Sequence, residues 1–265
     1  MNPVLDGSKV LPAPIPVLPR DAVQRWRLVL ARDAISPDGA GREQVSSWET
    51  ALARCGLPVA GLDAAKPRPR FAPAAPLAAG VPGEAELIDV WLVERAPAWR
   101  VREAITAVLP SGWRLVDLYD VWLGEAALPG RVAASVYRAT IAAGSVDAAA
   151  VREAASGLLA QPTLLRERQK GERTIAYDLR PFLDGIEVAD GPEGAVVVTM
   201  TLRHDPEKGV GRPEELLASL GERAGTALAP SSLVRERLVL GDPPPPPPPA
   251  PRRRPPGARV GGQRP

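Results

Sequence analysis

The chain has 265 residues, 45% hydrophobic, 24% charged and only 4% aromatic, with a net charge of +2, ordinary values for one large globular domain or two small ones. No apolar run approaches the ~18–20 residues of a membrane span, and the proline-bearing N-terminus has no continuous apolar stretch of the signal-peptide kind. A soluble, cytoplasmic chain with no membrane partner is therefore expected. The single cysteine, Cys55, and the single histidine, His204, exclude an internal disulfide, a cysteine-rich zinc or iron–sulfur site and a His-pair zinc site, so no cofactor or metal is expected in this chain.

Residues 1–23 carry Pro3, Pro12, Pro14, Pro16 and Pro19 and show no helical or strand period, which predicts a disordered segment. Folded structure is expected from 24 to 240. Arg25–Arg32 alternates, with Trp26, Leu28 and Leu30 on one face, and reads as a strand. Glu43–Cys55 places Val45, Trp48, Leu52 and Cys55 on one helical face, with Gly56 as its stop. Arg70–Leu77 is interrupted by proline and fits at best an edge strand. Glu86–Glu94 reads as a strand, Trp99–Leu109 as a helix stopped by Pro110, and Trp113–Leu123 as a strand. The order β-α-β-β-α-β is the ferredoxin-like, or split βαβ, pattern.

The second half repeats that order without visible sequence repetition. Ser135–Ala142 reads as a strand, and Ser145 as the cap of a helix from Val146 to about Ala160. Thr163–Gln169 and Thr174–Leu179 read as a hairpin about Lys170-Gly171, with Ile186–Ala189 and Ala195–Arg203 as further strands. Pro213 starts a helix with Glu214 and Glu215 in its first turn, expected to stop at Gly221, and Leu233–Leu240 closes the sheet. The predicted fold class is α+β: two ferredoxin-like halves, 24–124 and 133–240, each a mainly antiparallel sheet with helices on one face. Residues 243–265 hold five arginines, no acid and the unbroken run Pro243 to Pro249. That run predicts a polyproline II rod of roughly 22 Å inside a disordered tail. Without the tail, 28 basic and 31 acidic side chains leave the rest at a net of −3.

The candidate binding residues are basic. Lys66, Arg68 and Arg70 are displayed around Pro67 and Pro69 on a stiff arm suited to phosphates or an acidic partner, the bland alternative being a solvated loop. Arg166, Arg168 and Lys170 share one face of the predicted hairpin strand, with Arg180 following. A sheet face of this kind can bind RNA, although the few aromatics show no RNP-like spacing. Gly209, Gly211 and Arg212 precede the Pro213 helix, where backbone amides favour anions, but no nucleotide fingerprint is completed. Asp89, Asp117 and Asp120 are carboxylates on strands, able to hold Mg²⁺ or to face solvent. No matching nucleophile accompanies them, so no catalytic residue is assigned. His204 reads as turn chemistry, and Cys55 as core.

Several segments occur together in order: Leu52-Ala53-Arg54-Cys55-Gly56-Leu57-Pro58-Val59-Ala60, Pro67-Arg68-Pro69-Arg70, Ala75-Pro76-Leu77-Ala78-Ala79-Gly80-Val81, Glu84-Ala85-Glu86-Leu87-Ile88-Asp89-Val90, Asp178-Leu179-Arg180-Pro181 and Gly211-Arg212-Pro213-Glu214-Glu215-Leu216-Leu217. Across 24–240 the chain resembles the radical-SAM-linked protein family, bacterial domain of unknown function 2344. The resemblance implies an association, with a radical SAM protein encoded beside or fused to the domain, rather than an activity. This chain has no three-cysteine cluster motif and so reads as a stand-alone accessory half. Two family histidine positions differ: Ser36-Pro37-Asp38-Gly39 stands where relatives carry Ser-His-Leu-Asp, and Arg68 replaces the histidine of a Phe-Asn-Pro-His-Pro-Arg segment. These departures favour binding over catalysis. The expected partner is a separate radical SAM enzyme; the alternatives are an RNA-binding module and a carboxylate-based enzyme.

Overall fold

Alternating apolar residues and well-placed breakers build eleven strands and four α-helices in the computed structural model, which describes residues 21–34, 41–170, 173–205 and 207–242. The predicted segments 1–20 and 243–265 lie outside the described residues. Asp21–Val23 are described, and the Val23 N–H donates to Leu92 O at 2.8 Å. The elements of the first half are β1 (Gln24–Arg32), α1 (Arg42–Arg54), β2 (Phe71–Pro73), β3 (Gly83–Leu92), α2 (Ala98–Thr106) and β4 (Trp113–Asp120). Those of the second are β5 (Val132–Ile141), α3 (Ala148–Ala160), β6 (Leu165–Lys170), β7 (Arg173–Asp178), β8 (Leu183–Asp190), β9 (Val196–Asp205), β10 (Gly209–Val210), α4 (Pro213–Ala224) and β11 (Ser232–Leu240).

Nine strands form one mainly antiparallel sheet in the order β10-β9-β5-β11-β3-β1-β4, with β2 added to β3 and β8 added to β9. The first half contributes β4-β1-β3-β2 and the second β11-β5-β9-β8, with the two-residue β10 also on β9. Strands β6 and β7 form a separate two-stranded ribbon whose turn lies outside the described residues. The halves meet where β11 runs parallel to β3, at the single register pair Arg235–Gly83.

Helices cover one face of the sheet, and the apolar residues pack in two large clusters. In the first, Trp48 and Leu52 of α1 and Val101 and Ile105 of α2 lie on Trp26, Leu28, Leu30, Ile88, Val90 and Leu92. In the second, Val151 and Leu158 of α3 and Leu216 and Leu220 of α4 lie on Ile141, Val198, Met200 and Leu202. Each fully buried aliphatic side chain contributes roughly 1.5–3 kcal/mol.

Two predicted helix signals are corrected. The cap of α3 is Asp147, not Ser145: its carboxylate accepts the Ala149 N–H at 3.0 Å, and an aspartate two residues closer to the helix wins that amide. Gly221 does not end α4, which continues to Ala224 and is closed by Gly225 at φ 72°. Gly221 is instead a close-approach position, because a Cβ there would stand 2.6 Å from Thr226 O.

Candidate functional site

The basic residues singled out in the sequence are not brought to one place. Lys66 is exposed, and Arg68 pairs with Glu49 of α1 at 2.6 Å. Arg70 lies over the Trp91 ring, 4.8 Å from its centroid. Arg166 grips Glu222 of α4 through two bonds of 2.6 and 2.9 Å, and this raises its pKa further. The side chains of Arg168 and Lys170 lie outside the described residues. Arg180 is not on the ribbon face: it donates to the carbonyls of Leu159, Gln161 and Leu183, satisfying the C-terminal end of α3. Gly209 is exposed at φ 106°, Gly211 is buried against Phe182 and Leu202, and Arg212 is the N-cap of α4, 3.9 Å from Glu214.

The three strand carboxylates also separate. Asp89 is fully buried and accepts from Arg25 Nε (2.7 Å) and Nη2 and from Arg27 Nε (2.8 Å) and Nη2 (3.2 Å). A cation at Asp89 would meet two positive charges. Arg25 also donates to Glu125 O and Ala126 O, while Glu125 bridges Arg27 and Arg131. Arg131 reaches Gly241 O, just beyond β11. Burial alone would lower the Arg27 pKa, but the bonds and charge of Asp89 outweigh it and the net shift is upward. This network fastens the connection between β4 and β5 over the sheet face opposite the helices. A second buried pair, Glu86 with Arg235, ties β3 to β11, with Arg235 also donating to Ala75 O and Pro76 O.

His204 Nε2 lies 2.8 Å from Ser135 Oγ, and Ser135 is buried. Burial first and the nearby Arg235 charge second push the His204 pKa down to about 4 from 6.5. An unfolded chain therefore binds more protons between these values, and stability is lost as pH falls from 6.5 towards 4. The expected loss is on the order of 2 kcal/mol, below the full shift because the ring is partly exposed to solvent. Urea midpoints at about pH 7 and about pH 4.5 check it, with His204→Asn expected to flatten the difference. Cys55 is buried, its thiol pKa raised by desolvation, and packs in the first core. No group of three or more histidine, cysteine, aspartate or glutamate side chains able to hold a metal ion occurs among the described residues.

The exposed apolar surface is concentrated. Six of the nine large hydrophobic side chains that are exposed among the described residues are Val23, Trp99, Val116, Tyr119, Trp122 and Leu123. They lie on β4, just after it, or on segments tied to its end. Trp122 is 77% and Trp99 68% exposed. The Gln24 side chain holds this end together: it donates to Asp120 Oδ2 and accepts the Ala96 N–H, each at 2.9 Å. Val23, Arg95, Asp120, Trp122 and Leu123 surround a surface hollow of about 420 Å³. Arg70 stands at the same end of the sheet, since its partner Trp91 pairs with Arg25, whose carbonyl accepts the Val121 N–H. Strand β4 pairs only with β1 among the described residues, so one edge of its backbone faces outward. Sequence reading missed this surface because Trp122 and Trp99 look like core residues by type. The available signal was position: Trp99 follows Pro97 at a helix start, and Trp122 follows Asp120 where the strand alternation ends.

These features define an α+β protein whose buried ionic groups brace the fold and whose unpaired edge is apolar. Its residues 41–213 match the family described as uncharacterized protein conserved in bacteria (DUF2344), and the chain belongs to that family. The fold is similar to a solved structure titled Crystal Structure of a Cbf5-Nop10-Gar1 Complex, with a TM-score of 0.43 and 13% identity over 80% of this chain and 49% of that one. It is also similar to one titled Crystal structure of the archaeal box H/ACA sRNP Nop10-Cbf5 complex, with a TM-score of 0.39 and 12% identity over 79% of this chain and 47% of that one. The chain spans about half the length of the chains it resembles. No curated protein matches it. No helix among the described residues is long and apolar enough to cross a membrane.

Proposed function

We propose that this chain is a non-catalytic accessory protein that docks a separate protein, the radical SAM enzyme implied by its sequence resemblance, along the edge of β4. The carrying observation is the set of exposed apolar side chains Val116, Tyr119, Trp122, Leu123, Val23 and Trp99 on and beside an edge strand that pairs on one side only among the described residues. Exposed flat strand edges are normally guarded, and exposed apolar patches mark interaction surfaces. An extended partner segment can add to β4 through main-chain bonds while Trp122 and Trp99 take its side chains. Exposed Asp120, whose carboxylate is met among the described residues only by the neutral Gln24 amide, opposes a phosphate backbone and favours a protein, while Asp117 on the same strand is paired with Arg102 of α2 at 3.1 Å.

The same reading treats 24–124 and 133–240 as two ferredoxin-like units. In support, each half has the order fourth-first-third-second among its longer sheet strands, the two-residue β10 of the second half set aside, and an apolar cluster of its own under its helices. Lys66 and Arg68 beside Arg70, and separately Arg166, Gly209 and Arg212, are secondary contacts in this reading, whereas Arg180 and Gly211 are taken up by the fold itself.

The test is capture from the native cells with tagged wild type, Trp122→Ala and Val116→Lys, with and without nuclease, read by mass spectrometry. A radical SAM protein is expected with wild type in both conditions. A buried tryptophan anchor is worth about 2 kcal/mol or more, so Trp122→Ala should weaken purified binding by roughly 30-fold while leaving the circular dichroism unchanged. Equal capture by wild type and both variants would overturn the docking edge. Capture only without nuclease would make RNA the bridge and replace this reading with the RNA-binding one.

A further inference from the structure

A cavity of about 250 Å³ lies on the helix side of the first half, away from the β4 edge patch. Val45 and Trp48 of α1, Pro73 at the end of β2 and Pro76 after it, Ile88 of β3 and Trp113 of β4 make its apolar wall. Trp48 and Trp113 meet at 5.4 Å with their planes 82° apart, giving two aromatic surfaces at an angle. Two polar residues belong to this wall: Gln44, whose amide N–H donates to Leu77 O at 3.0 Å, and Glu86, which is buried together with its partner Arg235. A carboxylate offers about four acceptor positions, and Arg235 takes one on each oxygen. Gly83 makes room for this carboxylate, because a Cβ there would stand 2.5 Å from Glu86 Oε1. The indole N–H of Trp48, also in the wall, is buried with no hydrogen-bond acceptor among the described residues.

We propose that this cavity is a binding site for a small planar heteroaromatic molecule carrying a single N–H donor, of the size of indole. The volume sets the size: a ~150 Å³ apolar cavity holds benzene, so 250 Å³ takes roughly ten non-hydrogen atoms. The lining sets the polarity. A nucleobase or sugar would bring several polar groups that this wall cannot satisfy, each costing on the order of 1–3 kcal/mol when buried unpaired. The carboxylate sets the donor, since Glu86 retains acceptor capacity and is the one charged group in a lining that is otherwise mostly apolar. This site does not depend on the proposed docking edge, and its ligand is distinct from any partner there.

The full chain labelled with ¹⁵N is titrated with indole, the Trp48 and Trp113 N–H signals being assigned by tryptophan-to-phenylalanine variants. Saturable shifts of both signals are expected, with a rise in melting temperature. Indene has the same shape without the donor and should bind ~10-fold more weakly, the difference expected for a hydrogen bond to a charged acceptor. Val45→Phe fills the cavity without touching Glu86 or Arg235 and should keep the fold while removing the indole response. Unmoved tryptophan signals at millimolar indole, or an undiminished response in folded Val45→Phe, would overturn the site. Equal affinity for indole and indene would overturn the role of Glu86. None of these outcomes bears on capture through Trp122, so the two proposals fail separately.

Discussion

Replacing Asp89 with alanine is expected to cost at least about 3–5 kcal/mol, the range for removing one partner of a buried ion pair. The value is a large fraction of the ~5–15 kcal/mol that holds a typical domain together, so the variant should be largely unfolded under mild conditions. Asp89 is 0% exposed and receives both guanidinium groups of Arg25 and Arg27. Without it two buried cations face each other with no counter-charge closer than Glu125, which already serves Arg27 and Arg131. Asp89→Asn keeps the shape, but its amide places N–H donors against arginine donors, so a loss of the same order is expected. Urea denaturation followed by circular dichroism measures both. A shift under about 1 kcal/mol would mean that the arginines reach water in the variant and that the network braces little.

The role of Asp89 shows which kind of information a single sequence carries. Local patterns were legible. Of the predicted α1 face, Trp48, Leu52 and Cys55 pack in the core while Val45 is half-buried at the cavity, and Gly56, at φ 70°, ends that helix as its position predicts. The alternation of Trp26, Leu28 and Leu30 marks the buried face of β1. The opposite face of β1 was not legible, because Arg25 and Arg27 on a strand read as solvent-facing. They are buried because the connection after β4 folds back over them, and no periodicity announces that. Gly221 misled for a related reason. Glycine near the end of a helical pattern signals a stop, yet here it admits the backbone of Thr226–Leu228, a contact made only after the chain has turned.

The candidate site divides along the same line. Lys66, Arg68 and Arg70 were legible as a basic, proline-stiffened arm, but the ion pair of Arg68 with Glu49 and the stacking of Arg70 on Trp91 are tertiary facts. Arg180 looked like a surface cation because its three carbonyl partners belong to the end of α3 and the start of β8. Burial separates bracing arginines from available ones, and Trp122 becomes a candidate contact only because nothing described covers it.

Single substitutions at the second brace, Glu86→Leu or Arg235→Met, are each expected to cost about 3–5 kcal/mol, whereas the double variant should recover most of that loss. A lone buried charge is the expensive species, and two apolar side chains of similar volume remove both charges at once. Recovery should be incomplete, since Arg235 also donates to Ala75 O and Pro76 O and methionine cannot. A double-mutant cycle from urea midpoints measures the coupling; additive losses would show that the pair does not act as a unit. The shape of the transition carries further meaning. Strands β11 and β3 share one parallel register pair, at Arg235 itself, and the two large apolar clusters lie on either side of that junction. If the ion pair couples the halves, wild type should unfold in one step by tryptophan fluorescence and circular dichroism alike. The single variants should then separate the two signals, because all six tryptophans lie in residues 26–122 and report on the first half alone.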